Sequence, residues 1–329
     1  MAPADAVRSD AILYLSDADL ARLALTPAEI LTAVEEGLRL DRADAFTVSK
    51  LNLPIAAGHF FQAMPAAVRS LGLALVKWTG VVAQNATRGL PNVNALIVVS
   101  GLDDGRPVAI MAGNRLTALR TAAMSAAAAR RLARPESETL AFIGTGVQAA
   151  SHLAALRPLF PQLKRAYLLG RGAASRDRFA AEARACGVEP IAASRAQDAV
   201  EPADLIVTSV PAAPGLAPFL DGAWLKPGAF ATMADLGRSW RPGTLDDIDI
   251  VATDDREQSD AIAADGKLVR GGPWAADLAD LVTGRHPGRG ADRQRTAFIF
   301  AGIALCDLAV AALAYRRGRE MRLGTWLPA

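Results

Sequence analysis

The stretch at residues 139–157, TLAFIGTGVQAASHLAALR, constrains the fold of this chain more than any other. Its apolar run at 140–143 reaches Gly144, and an alanine- and leucine-rich helical pattern follows Gly146. Strand, glycine turn and helix in this order are typical of the first βαβ unit of a dinucleotide-binding fold. A second strand-like run at 166–169 begins one helix later, as that unit requires.

Each residue type in the turn suits a bound pyrophosphate. Gly144 allows the tight turn out of the strand, Gly146 lets the backbone approach the phosphates, and the small Ala149 lets the helix pack close to the sheet. The free N–H groups of the helix start then attract the phosphates. An ordinary βα turn is the alternative interpretation. We predict that the cofactor is bound by Gly144, Thr145, Gly146, Val147, Gln148 and Ala149, and by Thr208 and Ser209 at the end of a later strand.

Length, composition and charge limit the classes of protein to which the chain can belong. The 329 residues, of which 51% are hydrophobic, predict two domains with a sizeable core. The net charge of +2 comes from 36 basic and 34 acidic residues, and this balance argues against a nucleic-acid partner. Two cysteines are too few for a disulfide framework and favour a cytoplasmic location, and three histidines without a cysteine cluster predict no metal site.

One apolar stretch, FIFAGIALCDLAVAALAY at residues 298–315, is long enough to raise the question of a membrane span. Asp307 interrupts it at the centre, where a charge is costly in hydrocarbon. We interpret the stretch as one long helix, buried in protein or at a subunit interface, and expect no membrane partner. The N-terminus carries Asp5, Arg8 and Asp10 without a long apolar run, so we expect no signal peptide.

The order of the remaining elements predicts an α/β fold. The first region has capped helix starts at Ser16 and Thr26 and no βαβ alternation, which predicts a largely antiparallel, strand-rich unit. Its predicted strands lie at residues 11–15, 59–64, 71–78, 94–99 and 107–111. A long alanine-rich helix at 116–132 leads to the glycine turn. Beyond the turn, helices alternate with strands near 188–192, 204–210, 229–235 and 248–253, as in a parallel, doubly wound sheet.

Several short stretches match one known family when they are taken together. They are Ala63-Met64-Pro65-Ala66, Leu75-Val76-Lys77, Gly89-Leu90-Pro91, LTALRTAAMSAAAARRLA at 116–133, GTGVQA at 144–149, and Phe300-Ala301-Gly302-Ile303-Ala304 with Asp307. In this combination the chain resembles the ornithine cyclodeaminase/μ-crystallin family. The resemblance implies a central Rossmann domain with a doubly wound parallel sheet at 123–299. It would be inserted in an α+β substrate-binding and dimerisation domain made of 1–122 and 300–329, which forms a homodimer.

The resemblance also implies roles for three charged residues. Lys77 matches a lysine that binds the substrate carboxylate or a carbonyl-derived oxygen and assists proton transfer. Arg120 matches an arginine that binds the carboxylate, for which a guanidinium is the natural bidentate partner. Asp235 matches an aspartate that pairs with the substrate amine and acts as an acid or base. The residues alone leave an alternative for each. Lys77 would be a solvent-facing lysine, Arg120 would belong to a structural ion pair, and Asp235 would be an ordinary loop aspartate.

Other positions of the implied substrate site depart from the family pattern. Met64 of the Met-Pro-Ala motif is expected at the substrate. Lys50 stands where the family often has an arginine, and it supplies charge without the planar fork. The tripeptide Ala-Gly-Asn at 112–114 replaces a pattern that usually begins with aspartate. Arg238 and Trp240 stand where many members have Pro-Gly-Lys, so the part of the site that meets the substrate side chain differs.

Cofactor choice is predicted from the end of the second Rossmann strand, LLGR at 168–171. NAD-specific folds place an acidic residue there to bind the ribose 2′-hydroxyl, and this sequence has none. Arg171, with Ser175 and Arg176 at the next helix start, suits a 2′-phosphate, although exposed helix-start residues are the alternative. We therefore favour NADP(H) as the cofactor, with NAD(H) as the other possibility.

Together these residues predict an NADP(H)-dependent oxidoreductase that acts on the C–N bond of a small α-imino or α-amino acid. The simplest such reaction is the reduction of a cyclic ketimine, pyrroline-2-carboxylate or piperideine-2-carboxylate. One alternative is an ornithine or lysine cyclodeaminase that uses NAD(H), which Arg171 argues against. Another is a non-catalytic, μ-crystallin-like ligand-binding protein, and the joint presence of Lys77, Arg120 and Asp235 argues against it.

Overall fold

The computed structural model describes residues 11–213 and 215–329, apart from the side chain of Ala86. Asp5, Arg8 and Asp10, on which the expected absence of a signal peptide rests, lie outside the described residues. The chain divides into two compact units. Unit 1 contains residues 11–33, Leu40–Thr117 and Ala304–Ala329, and unit 2 contains Val34–Arg39 and Ala118–Ile303.

The elements follow one another in the order that we use to number them. The first part of the chain forms β1 (Ala11–Leu15), α1 (Asp17–Arg22), α2 (Pro27–Arg39), β2 (Ala45–Thr47), β3 (Leu51–Ala56), β4 (His59–Val68), β5 (Leu73–Val82), β6 (Val93–Gly101), β7 (Pro107–Ala112) and α3 (Gly113–Leu132). The middle forms β8 (Thr139–Ile143), α4 (Val147–Leu156), β9 (Arg165–Leu169), α5 (Ala173–Ala185), β10 (Glu189–Ala192), α6 (Ala196–Val200), β11 (Leu205–Thr208), β12 (Phe230–Met233), β13 (Ile250–Thr253), α7 (Arg256–Ala264), β14 (Ala276–Asp277), α8 (Leu278–Thr283) and β15 (Thr296–Ile299). The chain ends with α9 (Ala304–Glu320) and β16 (Thr325–Pro328).

The two predicted helix caps at the start of the chain are present. Asp19 N donates to the Ser16 hydroxyl, and the Asp19 carboxylate accepts from Ser16 N. In the same way, Thr26 Oγ1 accepts from Glu29 N at 3.2 Å and Glu29 Oε2 accepts from Thr26 N at 2.9 Å. Each reciprocal pair satisfies two N–H groups that the first helical turn leaves without a partner. These bonds fix where α1 and α2 begin.

Unit 1 is built on one sheet with the strand order β16-β1-β7-β6-β5-β4-β2, in which β3 also pairs with β4. The predicted antiparallel pairing is confirmed from β2 to β7. The pair of β1 with β7 is parallel, because the long chain segment between these strands can make the crossover that parallel neighbours need. Helix α9 packs against β4 and β5. The buried side of the sheet therefore lies against this helix.

Unit 2 contains the Rossmann fold that the sequence predicts. Its sheet has the order β10-β9-β8-β11-β12-β15-β13-β14, and the pairs along it are parallel. The strands β8, β11, β12, β13 and β15 are buried along their whole length. Because all strands run the same way, their carboxyl ends meet at one edge of the sheet. Ligands of open α/β sheets bind at this edge.

The interpretation of residues 298–315 as one helix is wrong. The first residues of this stretch belong to β15, the chain then turns at Gly302 with φ +88°, and α9 begins at Ala304. A strand that is covered on both faces reads as a continuous apolar run, so its pattern joins that of the following buried helix. Among the described residues, no helix combines the length and the hydropathy that a bilayer crossing needs.

Candidate active site

The glycine turn of unit 2 leaves open space at the start of α4. Gly144 has φ +102°, and a Cβ there would lie 2.9 Å from the carbonyl oxygen of Ser209. Gly146 is the N-cap of α4, contributes no capping side chain, and has no atom within 4 Å of the place where a Cβ would be. Val147 is exposed and Ala149 is buried. The helix start can thus receive a phosphate, and the residues present fit a dinucleotide.

The end of β9 lies beside the same turn. A Cβ at Gly170 would lie 2.4 Å from the Thr145 hydroxyl, so a larger residue there would require the Thr145 side chain to move. The Thr145 hydroxyl is 3.2 Å from that of Ser175. Arg176 Nη1 donates to the Gly170 carbonyl at 3.4 Å, and Arg171 is exposed. Of the predicted cofactor residues, Thr145 and Ser175 therefore contact each other, and Arg176 contacts the glycine that precedes Arg171.

Asp235 lies two residues beyond β12, at the carboxyl edge of the sheet, and is buried. Each of its two carboxylate oxygens accepts two hydrogen bonds. Oδ1 accepts from the Thr208 hydroxyl at 2.8 Å and from Gly237 N at 3.1 Å. Oδ2 accepts from the Ser239 hydroxyl at 2.8 Å and from Val210 N at 3.3 Å. The hydroxyl of Thr208, which we expected at the cofactor, is buried and donates to this carboxylate.

A strained turn follows Asp235. Leu236 has φ 63°, in a region that non-glycine residues seldom occupy. Gly237 has φ 70°, and a Cβ there would lie 2.3 Å from Val269 Cγ1. Arg238 donates to the Val210 carbonyl at 3.2 Å, and burial lowers the pKa of its guanidinium although the charge of Asp235 raises it. Arg238 and Trp240, which depart from the family pattern, therefore differ in role. Trp240 is part of the core, and Arg238 lies beside the carboxylate of Asp235.

Arg120 lies in the second turn of α3 and is buried, with 6% of its surface exposed. Its Nη1 lies 3.5 Å from the sulfur of Met124. The guanidinium packs against Gly302, because a Cβ at that glycine would lie 2.5 Å from Nη1 and 3.0 Å from Nη2. The contact between α3 and the loop after β15 was not indicated by the sequence, in which the two residues are far apart.

Lys77 lies in unit 1, within β5, and is buried. The sequence suggested a lysine at the strand end, but β5 continues to Val82, so Lys77 lies in the middle of the strand. Its ammonium is 2.8 Å from Oδ1 and 2.9 Å from Oδ2 of Asp307, which is itself buried. The predicted substrate residue Met64 is the direct cross-strand neighbour of Lys77, and Lys50 is half-buried just before β3.

Asp307 is the charged residue that sequence reasoning missed. Its signal was visible as the single carboxylate in the apolar stretch 298–315 and as part of the family pattern, but no role in the site was assigned to it. A carboxylate that is fully buried needs a charged or hydrogen-bonding partner, and the structure identifies Lys77 as one. The departure at 112–114 also has a local explanation. Asn114 Oδ1 accepts from Ala95 N at 2.7 Å and so ties the start of α3 to β6.

A buried polar chain supports the first turns of α4. The Nδ1–H group of His152 donates to the Gln148 carbonyl at 2.7 Å, so Nε2 accepts from the Ser125 hydroxyl at 2.9 Å. The Ser125 hydroxyl is in turn 2.8 Å from that of Thr232. Burial lowers the pKa of the His152 imidazole to about 4, although its bond to Gln148 raises it. This neutral chain connects α3, α4 and β12 beneath the glycine turn.

Nearly the whole chain matches the model of one family. The family model described as the ornithine cyclodeaminase/mu-crystallin family matches residues 15–321. The chain belongs to this family. It is therefore an NAD(P)-dependent enzyme of the oxidoreductase and cyclodeaminase group that the family comprises.

Individual relatives of the family agree with this assignment. Ketimine reductase mu-crystallin of Mus musculus is 32% identical over 240 residues, which are 70% of this chain and 72% of the mouse protein. The Thermococcus litoralis Δ1-pyrroline-2-carboxylate reductase, solved with NADH and L-proline, has a TM-score of 0.86 and 26% identity, and the match covers 95% of this chain and 99% of that one. An archaeal alanine dehydrogenase dimer with bound NAD has a TM-score of 0.83 and 27% identity, with 96% and 99% covered.

Proposed function

We propose that this family member is an NADP(H)-dependent reductase of a cyclic ketimine, pyrroline-2-carboxylate or piperideine-2-carboxylate. The observation that carries the proposal is the presence, in unit 2, of a buried guanidinium, a buried carboxylate and an open glycine turn. A small imino acid needs a cation for its carboxylate and an anion for its protonated nitrogen. The name of the Thermococcus litoralis neighbour, a Δ1-pyrroline-2-carboxylate reductase bound to L-proline, supports the same substrate class.

Arg120 binds the substrate carboxylate in this proposal, since a planar guanidinium can donate two parallel hydrogen bonds to it. Lys77 is the second cation, which binds the carboxylate or assists proton transfer. The cofactor, whose pyrophosphate the glycine turn would hold, would supply the hydride from its nicotinamide ring. The side chains of the site hold the C=N bond of the substrate and make its carbon more electrophilic.

Asp235 pairs with the imine nitrogen in this proposal. Four donors surround its two oxygens and fix the position of the carboxylate. The carboxyl group donates a proton to the imine nitrogen or pairs with the protonated imine. A protonated C=N bond has a more electrophilic carbon, so this pairing lowers the barrier to its reduction.

The proposed preference for NADP(H) rests on the end of β9. Gly170 and Arg171 follow Leu169 where an acidic residue would bind a ribose 2′-hydroxyl. Arg171 is exposed there, and Ser175 and Arg176 are half-buried at the start of α5, so a 2′-phosphate would meet two guanidinium groups. The other possible cofactor, NAD(H), draws support from the two solved relatives, a reductase and an alanine dehydrogenase, which were determined with NADH and NAD.

The exposed side of the unit 1 sheet supports a homodimer. Leu51, Ala63, Trp78 and Leu96 are successive cross-strand neighbours in β3, β4, β5 and β6, so they share one side of the sheet. Three of them are large and exposed, at 66% for Leu51, 46% for Trp78 and 42% for Leu96. A continuous apolar surface of this kind marks an interface. We propose that a second copy of the chain covers it, as the dimeric archaeal alanine dehydrogenase suggests.

The test is to follow nicotinamide absorbance at neutral pH with purified protein and each of the two cyclic ketimines, comparing NADPH with NADH. Oxidation of NADPH that is lost in Arg120→Met supports the proposal. If neither cofactor is oxidised, ornithine and lysine are supplied with NAD+ and ammonia is assayed. Ammonia release would assign a cyclodeaminase, and no reaction in either assay would leave neither activity standing.

A further inference from the structure

The backbone of Gly302 packs against the guanidinium of Arg120. With φ +88°, it has a conformation that L side chains rarely adopt. A Cβ at this position would also lie 2.5 Å from Nη1, 3.0 Å from Nη2 and 3.2 Å from Cζ of Arg120. All three distances are shorter than ordinary van der Waals contact. Any side chain at position 302 therefore requires the guanidinium to move.

The peptide groups of Gly302 are held from two sides by buried side chains. Its N–H donates to Asp254 Oδ2 at 2.6 Å, and the neighbouring Ala301 N donates to Asp254 Oδ1 at 3.4 Å. Its carbonyl accepts from Gln258 Nε2 at 3.2 Å. Asp254 and Gln258 are 3% and 6% exposed, so these bonds form away from water. The glycine backbone cannot shift without leaving a buried polar group without its partner.

The two holding residues are themselves fixed by regular structure. Asp254 directly follows β13, and its carboxylate also lies 3.4 Å from the Ser259 hydroxyl in α7. Gln258 belongs to the first turn of α7, where its N–H donates to the N-cap residue Asp255 at 2.8 Å. The position of Gly302 thus depends on the place where β13 passes into α7.

We propose that Gly302 is a positioning residue for Arg120, held in place by Asp254 and Gln258, and that it sets the affinity for the substrate carboxylate. This inference rests on the proposed function for the role of Arg120. The glycine forms a flat surface on which the guanidinium lies, so the direction of its N–H groups is fixed before a carboxylate arrives. A bidentate contact depends strongly on that direction, and a misplacement of about 1 Å can cost on the order of a hundredfold in rate.

The experiment compares Gly302→Ala with Gly266→Ala. Gly266 also has a positive φ, of +67°, but a Cβ there meets nothing within 4 Å, so this variant carries the backbone strain without the contact. We expect Gly302→Ala to raise the KM for the ketimine about tenfold or more and to leave the Kd for NADPH, measured by fluorescence, unchanged. Gly266→Ala should change neither. Equal effects of the two variants on KM would overturn the proposal.

Two further measurements separate positioning from a general loss of structure. In an Arg120→Met background, Gly302→Ala should add little to the loss of carboxylate binding, since its effect passes through the guanidinium. Full additivity would contradict this. If Gly302→Ala does not fold, Gln258→Leu, which removes the bond to the Gly302 carbonyl, replaces it in both assays with the same expectation.

A crystal structure of the Gly302→Ala protein tests the inference without any turnover. We expect the Arg120 guanidinium to be displaced while α3 and β13 keep their positions. An unmoved guanidinium would refute the inference even if the ketimine is the substrate. Conversely, a wild-type protein that turns over no ketimine refutes the proposed function, and the displacement in the crystal still decides the role of Gly302.

Discussion

Lys77 and Asp307 form a buried ion pair between residues 230 positions apart in the chain, with the ammonium 2.8 Å from Oδ1 and 2.9 Å from Oδ2 of the carboxylate. Both side chains lie inside unit 1, where β5 faces α9. Removing charges from water is costly, so each partner depends on the other. The position of Lys77, the proposed catalytic lysine, therefore depends on the packing of α9.

Asp307→Ala leaves the Lys77 ammonium buried without this carboxylate, and we expect the free energy of unfolding to fall by about 3–5 kcal/mol. The double variant Lys77→Met/Asp307→Leu should recover most of that loss, because apolar residues of similar volume can replace a buried pair. It should remain inactive. Urea denaturation and ketimine turnover measure the two effects. A single variant as stable as the wild type would show that the pair is unimportant for folding.

Asp235→Asn tests the four hydrogen bonds around Asp235. In either orientation the asparagine amide directs N–H groups at a backbone donor, Gly237 N or Val210 N, which cannot turn away. We expect stability to fall by about 2 kcal/mol and turnover to be lost. The Kd for NADPH should change little, because the substitution does not alter the glycine turn. Unchanged turnover would sink the role proposed for this carboxylate.

His152 should make unit 2 sensitive to acid. Burial lowers the pKa of the folded imidazole from 6.5 to about 4, so the unfolded chain binds more protons between these two pH values. Stability is therefore present above pH 6.5 and is lost as the pH falls through this window, by about 3 kcal/mol for this group alone. His152→Gln, which does not titrate, should show a shallower decline than the wild type in urea unfolding at pH 7, 5.5 and 4.5. Parallel curves would argue against the assignment.

Arg171→Ala should separate the two cofactors. We expect the Kd for NADPH to rise about tenfold, since a charge-assisted contact to the 2′-phosphate is removed, while the Kd for NADH stays the same. Arg178 is an exposed arginine of α5 that serves as the matched control, and Arg178→Ala should affect neither. Fluorescence titration measures both constants. Equal losses for NADPH and NADH in Arg171→Ala would favour an NAD(H) enzyme.

Trp78→Lys places a charge on the exposed side of the unit 1 sheet and should convert the proposed dimer into monomers. Trp326 is exposed to a similar degree, 41% against 46%, but lies in the edge strand β16. Trp326→Lys is therefore the matched control and should remain dimeric. Light scattering after gel filtration gives the masses. A wild-type monomer, or a dimeric Trp78→Lys protein, would place the interface elsewhere or remove it.

Much of the fold could be predicted because its signals are local. The caps at Ser16 and Thr26 are bonds between residues three positions apart, and the glycine turn is a contiguous motif. The exposed edge strand β3 was not indicated, because Pro54 has no N–H for a strand ladder and so argues against a strand. Residues 298–315 were misinterpreted because buried strand and buried helix share one apolar pattern.

The sequence by itself determined the Rossmann turn and the parallel sheet behind it, since motif spacing and periodicity depend on near neighbours, and the resemblance to the family singled out Lys77, Arg120 and Asp235. Only the tertiary structure decided which groups those charges meet. Asp307 reaches Lys77, Gly302 supports Arg120, and four donors surround Asp235. Contacts between residues far apart in the chain follow from how the elements pack, and no local pattern of the sequence records that packing.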